Sequence, residues 1–597
     1  MRLAAVLLLL SGIPELSLDK GQVPFPPLQA DERSWPQTTL GSLSTEEKVG
    51  QLFMIRLRVG RLRENSEYLR LAEEIRKYHI GSLAMSAPRG GPGVRRDRRY
   101  GTVTVLNGLQ RESRLPLLVA ADFEQGVLPA GLFGTTVFPH AMAFGAAGKP
   151  KYAEEFGRIT AQESRAIGVH WNLFPVADVN SNPVNPIIGT RAFGADPKQV
   201  GDLVAAYITG ARANGLLTTA KHFPGHGNTK TDSHLSLAKV DDDLKTLTAV
   251  DLPPFRRAIE AGVDAIMTAH VRVPALDSNP DRVATTSPKV VTDLLKNQLG
   301  FKGLVVADAL DMAGLTRLYR TNPGRAAVDT FKAGNDVLTM PANLDESYQA
   351  VLAAVRSGEI SQSRLDESVL KILRAKASLG LAKNRFVAVA AIPGLVGIPK
   401  NVAIGQRISD DAVTLVRDNS KLLPLPVAHP PAQHSDHSLL VIVLCDDIRT
   451  DDGLVLEREI RARRPDVSFI YVDPSIASRR SAEVRKAVGH ARTIVVAVYV
   501  VPSAARSLKV GRKSNHPASL PDLTSALFNK ILVRASSRTV VLAMGSPYLT
   551  DDFPAIQNYL CTFSNATVSE VSAAKALFGE ISIRGHMPVH LAGTVAR

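Results

Sequence analysis

Residues 216–234 read LLTTAKHFPGHGNTKTDSH, and the rest of the chain is arranged around them. Leu216, Leu217 and the two threonines make a short apolar, β-branched run that predicts a buried strand. Directly after it come three histidines (His222, His226, His234), two lysines (Lys221, Lys230) and Asp232 among glycines, a proline and small polar residues. That is loop composition carrying proton-transfer groups at the end of a strand. Asp232 and His234 flank Ser233, a spacing at which a tight turn brings carboxylate and imidazole together. The carboxylate then fixes the tautomer and stabilises the imidazolium, leaving the other ring nitrogen to exchange a proton. The three histidines match no usual metal-ligand spacing and no cysteine is near, so no metal is expected.

Working outward, short apolar runs alternate with longer amphipathic stretches. Strands are predicted at 52–55, 81–85, 117–121, 169–174, 216–221, 265–270, 304–307 and 336–340. Helical patterns lie between them at 151–166, 197–213, 252–261, 290–299 and 325–333, and Ser44 to Glu47 spells a capping box. Eight such units predict an α/β fold beginning with a (β/α)8 TIM barrel over residues 38–386. The polar residues support that frame. Asp122, Asp178, Lys221, His222, His270 and Asp308 all fall at or just beyond strand C-terminal ends, where barrel enzymes build their sites. Unrelated core strands would not place their charges at one end each time.

Residues 387–410 begin VAVAAIPGLVGIPK and read as a linker. From 411 to 597 a second α/β domain is predicted, with strands at 439–444, 469–472, 493–500 and 539–544. Their near-continuous apolar runs suit a mainly parallel sheet sandwiched between helices. The chain's 597 residues and 45% hydrophobic content suffice for two full cores. Its formal net charge is +14, partly from Arg89, Arg95, Arg96, Arg98 and Arg99 in one Gly/Pro-rich loop. Such a loop could meet an acidic polymer, but no nucleic-acid motif or interleaved aromatic accompanies it, so no nucleic-acid partner is expected. Cys445 and Cys561 read as small core residues. Residues 1–37 start MRLAAVLLLLSG, an Arg followed by an apolar run of signal-peptide size, too short to span a bilayer. Export is expected, and stable membrane insertion is not.

KHFPGHG followed by DSH resembles the signature of glycoside hydrolase family 3, in particular its exo-β-N-acetylglucosaminidase branch, where an Asp–His pair on a mobile loop replaces the usual carboxylic acid/base. AVTLVRDNSKLLPL (412–425) and the run from ALFGE to GHMPV (576–589) resemble, more loosely, the family's motifs at the two ends of the second domain. The resemblance implies a retaining hydrolase acting on terminal β-linked GlcNAc, with peptidoglycan fragments the expected source, and no cofactor. Rival readings are a phosphorylase, another β-glycosidase of the family, and a non-catalytic glycan-binding protein.

Retention needs a carboxylate nucleophile and a proton donor beside the leaving oxygen. Asp308 ends the apolar strand GLVVAD, where a barrel aims it into the pocket, and it matches the family's nucleophile. Asp311 is its rival, three residues on. The resemblance makes His234 the acid/base with Asp232 orienting it. Lys221, His222, Asp122, Arg191 and His270 would hold the substrate. Each has a plainer reading: Asp122 as a helix cap, Arg191 paired with Asp196, Lys221 as a surface charge, His222 and His270 as satisfied core histidines. One departure stands out. The family pattern DxEGGxVxR here reads DFEQGVLPA, with Gln125 for a glycine and Ala130 for the arginine.

Overall fold

The computed structural model describes residues 25, 27–28, 32–59, 65–86, 99–127, 134–320, 322–427, 438–447, 451–501 and 520–592. The signal-like start, most of the arginine loop and Ala130 lie outside them. In the first domain eight strands run parallel: β1 (Phe53–Arg58), β2 (Ser82–Ser86), β3 (Leu118–Ala121), β4 (Trp171–Asn172), β5 (Leu217–Phe223), β6 (Ala265–Thr268), β7 (Leu304–Ala307) and β8 (Leu338–Thr339). Neighbours pair in that order, β8 returns to β1, and a bridge between Val306 and Val337 joins β7 to the start of β8. The predicted barrel is therefore present. Its fourth and eighth strands are only two residues of ladder, but extended backbone continues past β4, where Leu173 N–H donates to the Ala121 carbonyl at 2.9 Å.

Local chemistry explains the helix starts. The Ser44 hydroxyl accepts from Glu47 N–H while the Glu47 carboxylate accepts from Ser44 N–H, the predicted capping box. Asp196, Asn343 and Ser361 cap three later barrel helices through their side chains. Asp196 is thus committed to the Gln199 N–H, and the pairing with Arg191 that the plainer reading offered does not form.

The second domain is a six-stranded sheet: β9 (Thr414–Asp418), β10 (Leu439–Cys445), β11 (Ser468–Val472), β12 (Thr493–Tyr499), β13 (Thr539–Ala543) and β14 (Asn558–Cys561). The order is β9-β14-β13-β12-β10-β11, parallel except for edge strand β9, which comes from the first of the two flanking motifs. Alternate residues of β10 enter two cores. Leu440, Ile442 and Leu444 face one, Leu439, Val441, Val443 and Cys445 the other, so helices cover both faces as a buried parallel sheet requires. Both cysteines are buried.

The predicted linker is tied down. Val387 exchanges two hydrogen bonds with the Asn107 side chain, Gly397 N–H donates to Glu163, and helix Pro399–Ala412 already spans most of its second half. The second domain reaches the barrel's C-terminal rim. Asn180 donates to the Tyr548 hydroxyl at 2.8 Å, and Ala195 N–H donates to the Pro588 carbonyl at 2.9 Å. The closing GHMPV motif therefore braces the loop that carries Arg191.

Candidate active site

A cleft of about 620 Å3 opens at the C-terminal end of the barrel strands, a volume suited to a small sugar. Asp122, Arg191, Lys221, His222, His234, Asp308 and Asp311 all line it. Lys221 and His222 are the two residues before the last of β5, a strand buried along its whole length. Lys221 is no surface charge: its ammonium donates to Asp122 at 2.7 Å and meets Glu124 at 2.8 Å. Glu124 also receives the Arg191 guanidinium through two bonds of 2.8 Å. Burial opposes ionisation of Glu124, but Arg191 and Lys221 outweigh it and hold the carboxyl well below its ordinary range. Asp122 caps no helix and keeps about half of its side chain exposed (54%) toward the cleft.

Asp178 organises the loop that follows β5. It is fully buried and accepts from the His222 ring at 2.6 Å and from the backbone N–H groups of His222 and His226. A carboxylate can only accept, so His222 carries its proton on Nδ1 and turns Nε2 to the cleft. His226 is structural. Its two ring nitrogens meet the Thr229 and Ser233 hydroxyls at 2.7 and 2.9 Å, and burial, then His222, pushes its pKa down to about 4. Gly227 is required here, because a Cβ would stand 1.7 Å from the Val179 carbonyl oxygen.

The braced loop ends in a turn. The Asp232 carboxylate accepts from the backbone N–H of His234 at 2.8 Å and from its Nδ1 at 2.9 Å. The Asp232 carbonyl closes the turn by accepting from Leu235 and Ser236, and Gly314 N–H docks it by donating to the Ser233 carbonyl at 3.1 Å. Asp308 follows β7 directly, accepting from Ala309 N–H at 2.7 Å. Burial raises its pKa, but the imidazoles of His270, His222 and His234 prevail and leave it below the ordinary carboxylate value. His234 sits over the same cleft, a quarter exposed (28%).

One expected contact is corrected. His270 is wholly buried, and its ring lies between the Thr285 hydroxyl at 2.9 Å and the Ala309 carbonyl at 3.0 Å. It therefore orients the backbone beside Asp308 and does not line the cleft. Asp311 is gripped by Arg56. Glu124 and Asp178, to which the motifs alone assign no role, hold Arg191, Lys221 and His222 in place, and Glu124 stands in the same DFEQG run as Asp122. Among the described residues no group of three or more His, Cys, Asp or Glu is disposed to hold a metal.

A family model described as the N-terminal domain of glycosyl hydrolase family 3 matches residues 44–375. A β-N-acetylglucosaminidase/β-glucosidase of Cellulomonas fimi is 32% identical over 426 residues, 68% of this chain and 70% of that protein. β-Hexosaminidase A of Pseudoalteromonas piscicida is 34% identical over 384 residues, 60% of this chain and 62% of that protein. The solved family 3 β-N-acetylglucosaminidase from Paenibacillus sp. str. FPU-7 superposes with a TM-score of 0.78 at 27% identity, covering 93% of this chain and 100% of that one. With a two-domain architecture, a strand-end cleft and a family match over more than half its length, this chain belongs to glycosyl hydrolase family 3 and is a glycoside hydrolase.

Proposed function

We propose that the protein is a retaining, exo-acting β-N-acetylglucosaminidase that removes terminal GlcNAc from β-linked glycans. The observation that carries the reading is the 2.9 Å bond between Asp232 and His234 Nδ1 on a turn over the cleft that also holds Asp308. Asp308 attacks the anomeric carbon as His234 Nε2–H protonates the departing oxygen. His234 then takes a proton from water, which displaces Asp308 and releases the sugar. Asp232 balances the imidazolium charge. A His donor also spares Asp308 the repulsion of a second carboxylate close by. Asp122, Lys221, His222 and Arg191 hold the sugar hydroxyls, and their buried partners penalise a sugar that lacks one. The names of the Cellulomonas relative and the Paenibacillus structure support GlcNAc as the sugar, and the Pseudoalteromonas name supports a hexosamine. Peptidoglycan fragments are the proposed source, reached after export by the signal-like start.

The test is to trap the intermediate with a slow-turnover fluorinated GlcNAc glycoside and map the labelled peptide. A label within residues 303–312 at Asp308 is expected, and a label on any other carboxylate overturns the reading. Release of free GlcNAc without phosphate distinguishes hydrolysis from phosphorolysis.

A further inference from the structure

The net charge is concentrated. Residues 477–538 hold twelve Lys or Arg and two Asp or Glu, so +10 of the chain's +14 lies in this stretch of the second domain. Its two described helices, Ala477–His490 and Asp522–Ala535, share one core through Val484 and Val488 from the first and Leu527, Phe528, Ile531 and Leu532 from the second. Arg538, just past the second helix, donates to the Val488 and Ala491 carbonyls at the end of the first and locks the pair together. With their apolar stripes turned to the same side of the sheet, the opposite stripes form one outward face.

That outward face is cationic and partly apolar. Arg479, Arg485, Lys486, Lys530 and Arg534 are exposed, and none of the five pairs with a carboxylate among the described residues. Arg480 pairs with Glu483 at 3.8 Å. Leu523 and Val533 are 55% and 86% exposed. Leu523, Lys530 and Arg534 are spaced seven and four apart, which stacks them on one side of the helix with Val533 beside them. Single exposed apolar residues are ordinary. Two of them interleaved with unpaired cations on a rigid face are the pattern of an interfacial surface, where ammonium and guanidinium groups meet lipid phosphates and short apolar side chains enter the headgroup boundary. Neither helix exposes an aromatic ring on which a base could stack, which weighs against single-stranded nucleic acid.

We propose that this face docks the enzyme reversibly on an anionic lipid surface, without insertion. The test uses the full chain and co-sedimentation with vesicles of phosphatidylcholine alone or mixed with phosphatidylglycerol. Binding to the mixed vesicles only, reversed by added salt, is expected. The variant R485Q/K486Q/K530Q/R534Q should lower that binding at least about tenfold, and L523S/V533S should lower it by a smaller factor. Both should keep wild-type turnover of a chromogenic aryl glycoside, which shows that they fold. Salt reversal on the unmodified chain needs no variant. Equal binding to neutral vesicles, binding unchanged by the fourfold substitution, or tighter binding to duplex DNA than to the mixed vesicles would overturn the proposal.

Discussion

Arg56, on the first barrel strand, grips Asp311 through two bonds of 2.6 and 3.2 Å, and this grip separates the roles of two carboxylates three residues apart. Asp311 has its charge neutralised by a guanidinium. Asp308 accepts a backbone N–H and faces the cleft, with no arginine or lysine partner among the described residues. Asp308→Asn should therefore lower kcat by about 10^3-fold or more. Asp311→Asn should act mainly on KM, through the freed Arg56, and keep kcat within about tenfold. Equal losses in kcat for the two variants would mean that the nucleophile has been misassigned.

The Asp232–His234 turn predicts a dependence on the leaving group. Removing a general acid costs on the order of 10^2–10^4-fold only where the departing oxygen needs a proton. His234→Gly should lose turnover of a GlcNAc disaccharide by that factor. With a dinitrophenyl glycoside it should still form the glycosyl-enzyme at near wild-type rate, seen as a burst. A burst that disappears along with disaccharide turnover would exclude this role.

The same activated substrate isolates the ionisation of Asp308. The carboxylate is the reactive form, and the surrounding imidazoles hold its pKa below the ordinary value despite burial. Lowering the pKa keeps the nucleophile ionised further into acid. The acid limb of kcat/KM should therefore lie below roughly pH 4. A limb centred at pH 5 or higher would contradict this electrostatic account.

Some of this site was readable in sequence because a period ends where a charge begins. The buried run before Lys221 and the run GLVVA before Asp308 mark strand ends, and a barrel points strand ends into one cleft. The Asp232–His234 pair was readable because it is local, closed within one turn. Partnerships across the barrel were not. Glu124 and Arg191 are 67 residues apart, so only the meeting of two loops reveals that Arg191 prefers Glu124 to nearby Asp196. His226 was one of three equivalent histidines until its nitrogens were seen to be used by Thr229 and Ser233. His270 misled because its strand-end position is right and its side chain turns inward. The linker composition of residues 387–410 hid a segment that is largely exposed yet docked on the barrel through the buried Ile392 and Val396, since Val, Ala and Pro suit a docked connection as well as a loose one.

Glu124 neutralises two cations at once, so its loss should reach beyond binding. Glu124→Gln leaves Arg191 and Lys221 facing each other across a buried site. Breaking such a pair by removing one partner costs about 3–5 kcal/mol. A clear fall in Tm together with a raised KM is expected, whereas Asp122→Asn, at a half-exposed position, should raise KM with Tm nearly unchanged. Calorimetry beside steady-state kinetics checks both. A Glu124→Gln protein as stable as wild type would show that the cations are balanced elsewhere.

Asp251 ties stability to pH through the catalytic loop. It is buried, and neither carboxyl oxygen has a hydrogen-bond partner among the described residues. Burial, then the charges of Asp242 and Asp178, pushes its pKa up to about 8. An unfolded aspartate titrates near 4. Between those values the native state keeps a proton that the unfolded chain has released, so this group's contribution to stability is full below about pH 4 and is lost as pH rises to about 8. The carboxyl packs against Gly225, where an added Cβ would stand only 2.5 Å from Asp251 Oδ1. Asp251→Asn cannot ionise and should flatten the decline, with a higher urea midpoint than wild type at pH 8 and a similar one at pH 4. Gly225→Ala should be destabilised at both pH values, because its φ of +134° and the contact with Asp251 leave no room for a methyl group. Urea midpoints for wild type and Asp251→Asn that fall in parallel from pH 4 to pH 8 would remove Asp251 as the source of the dependence.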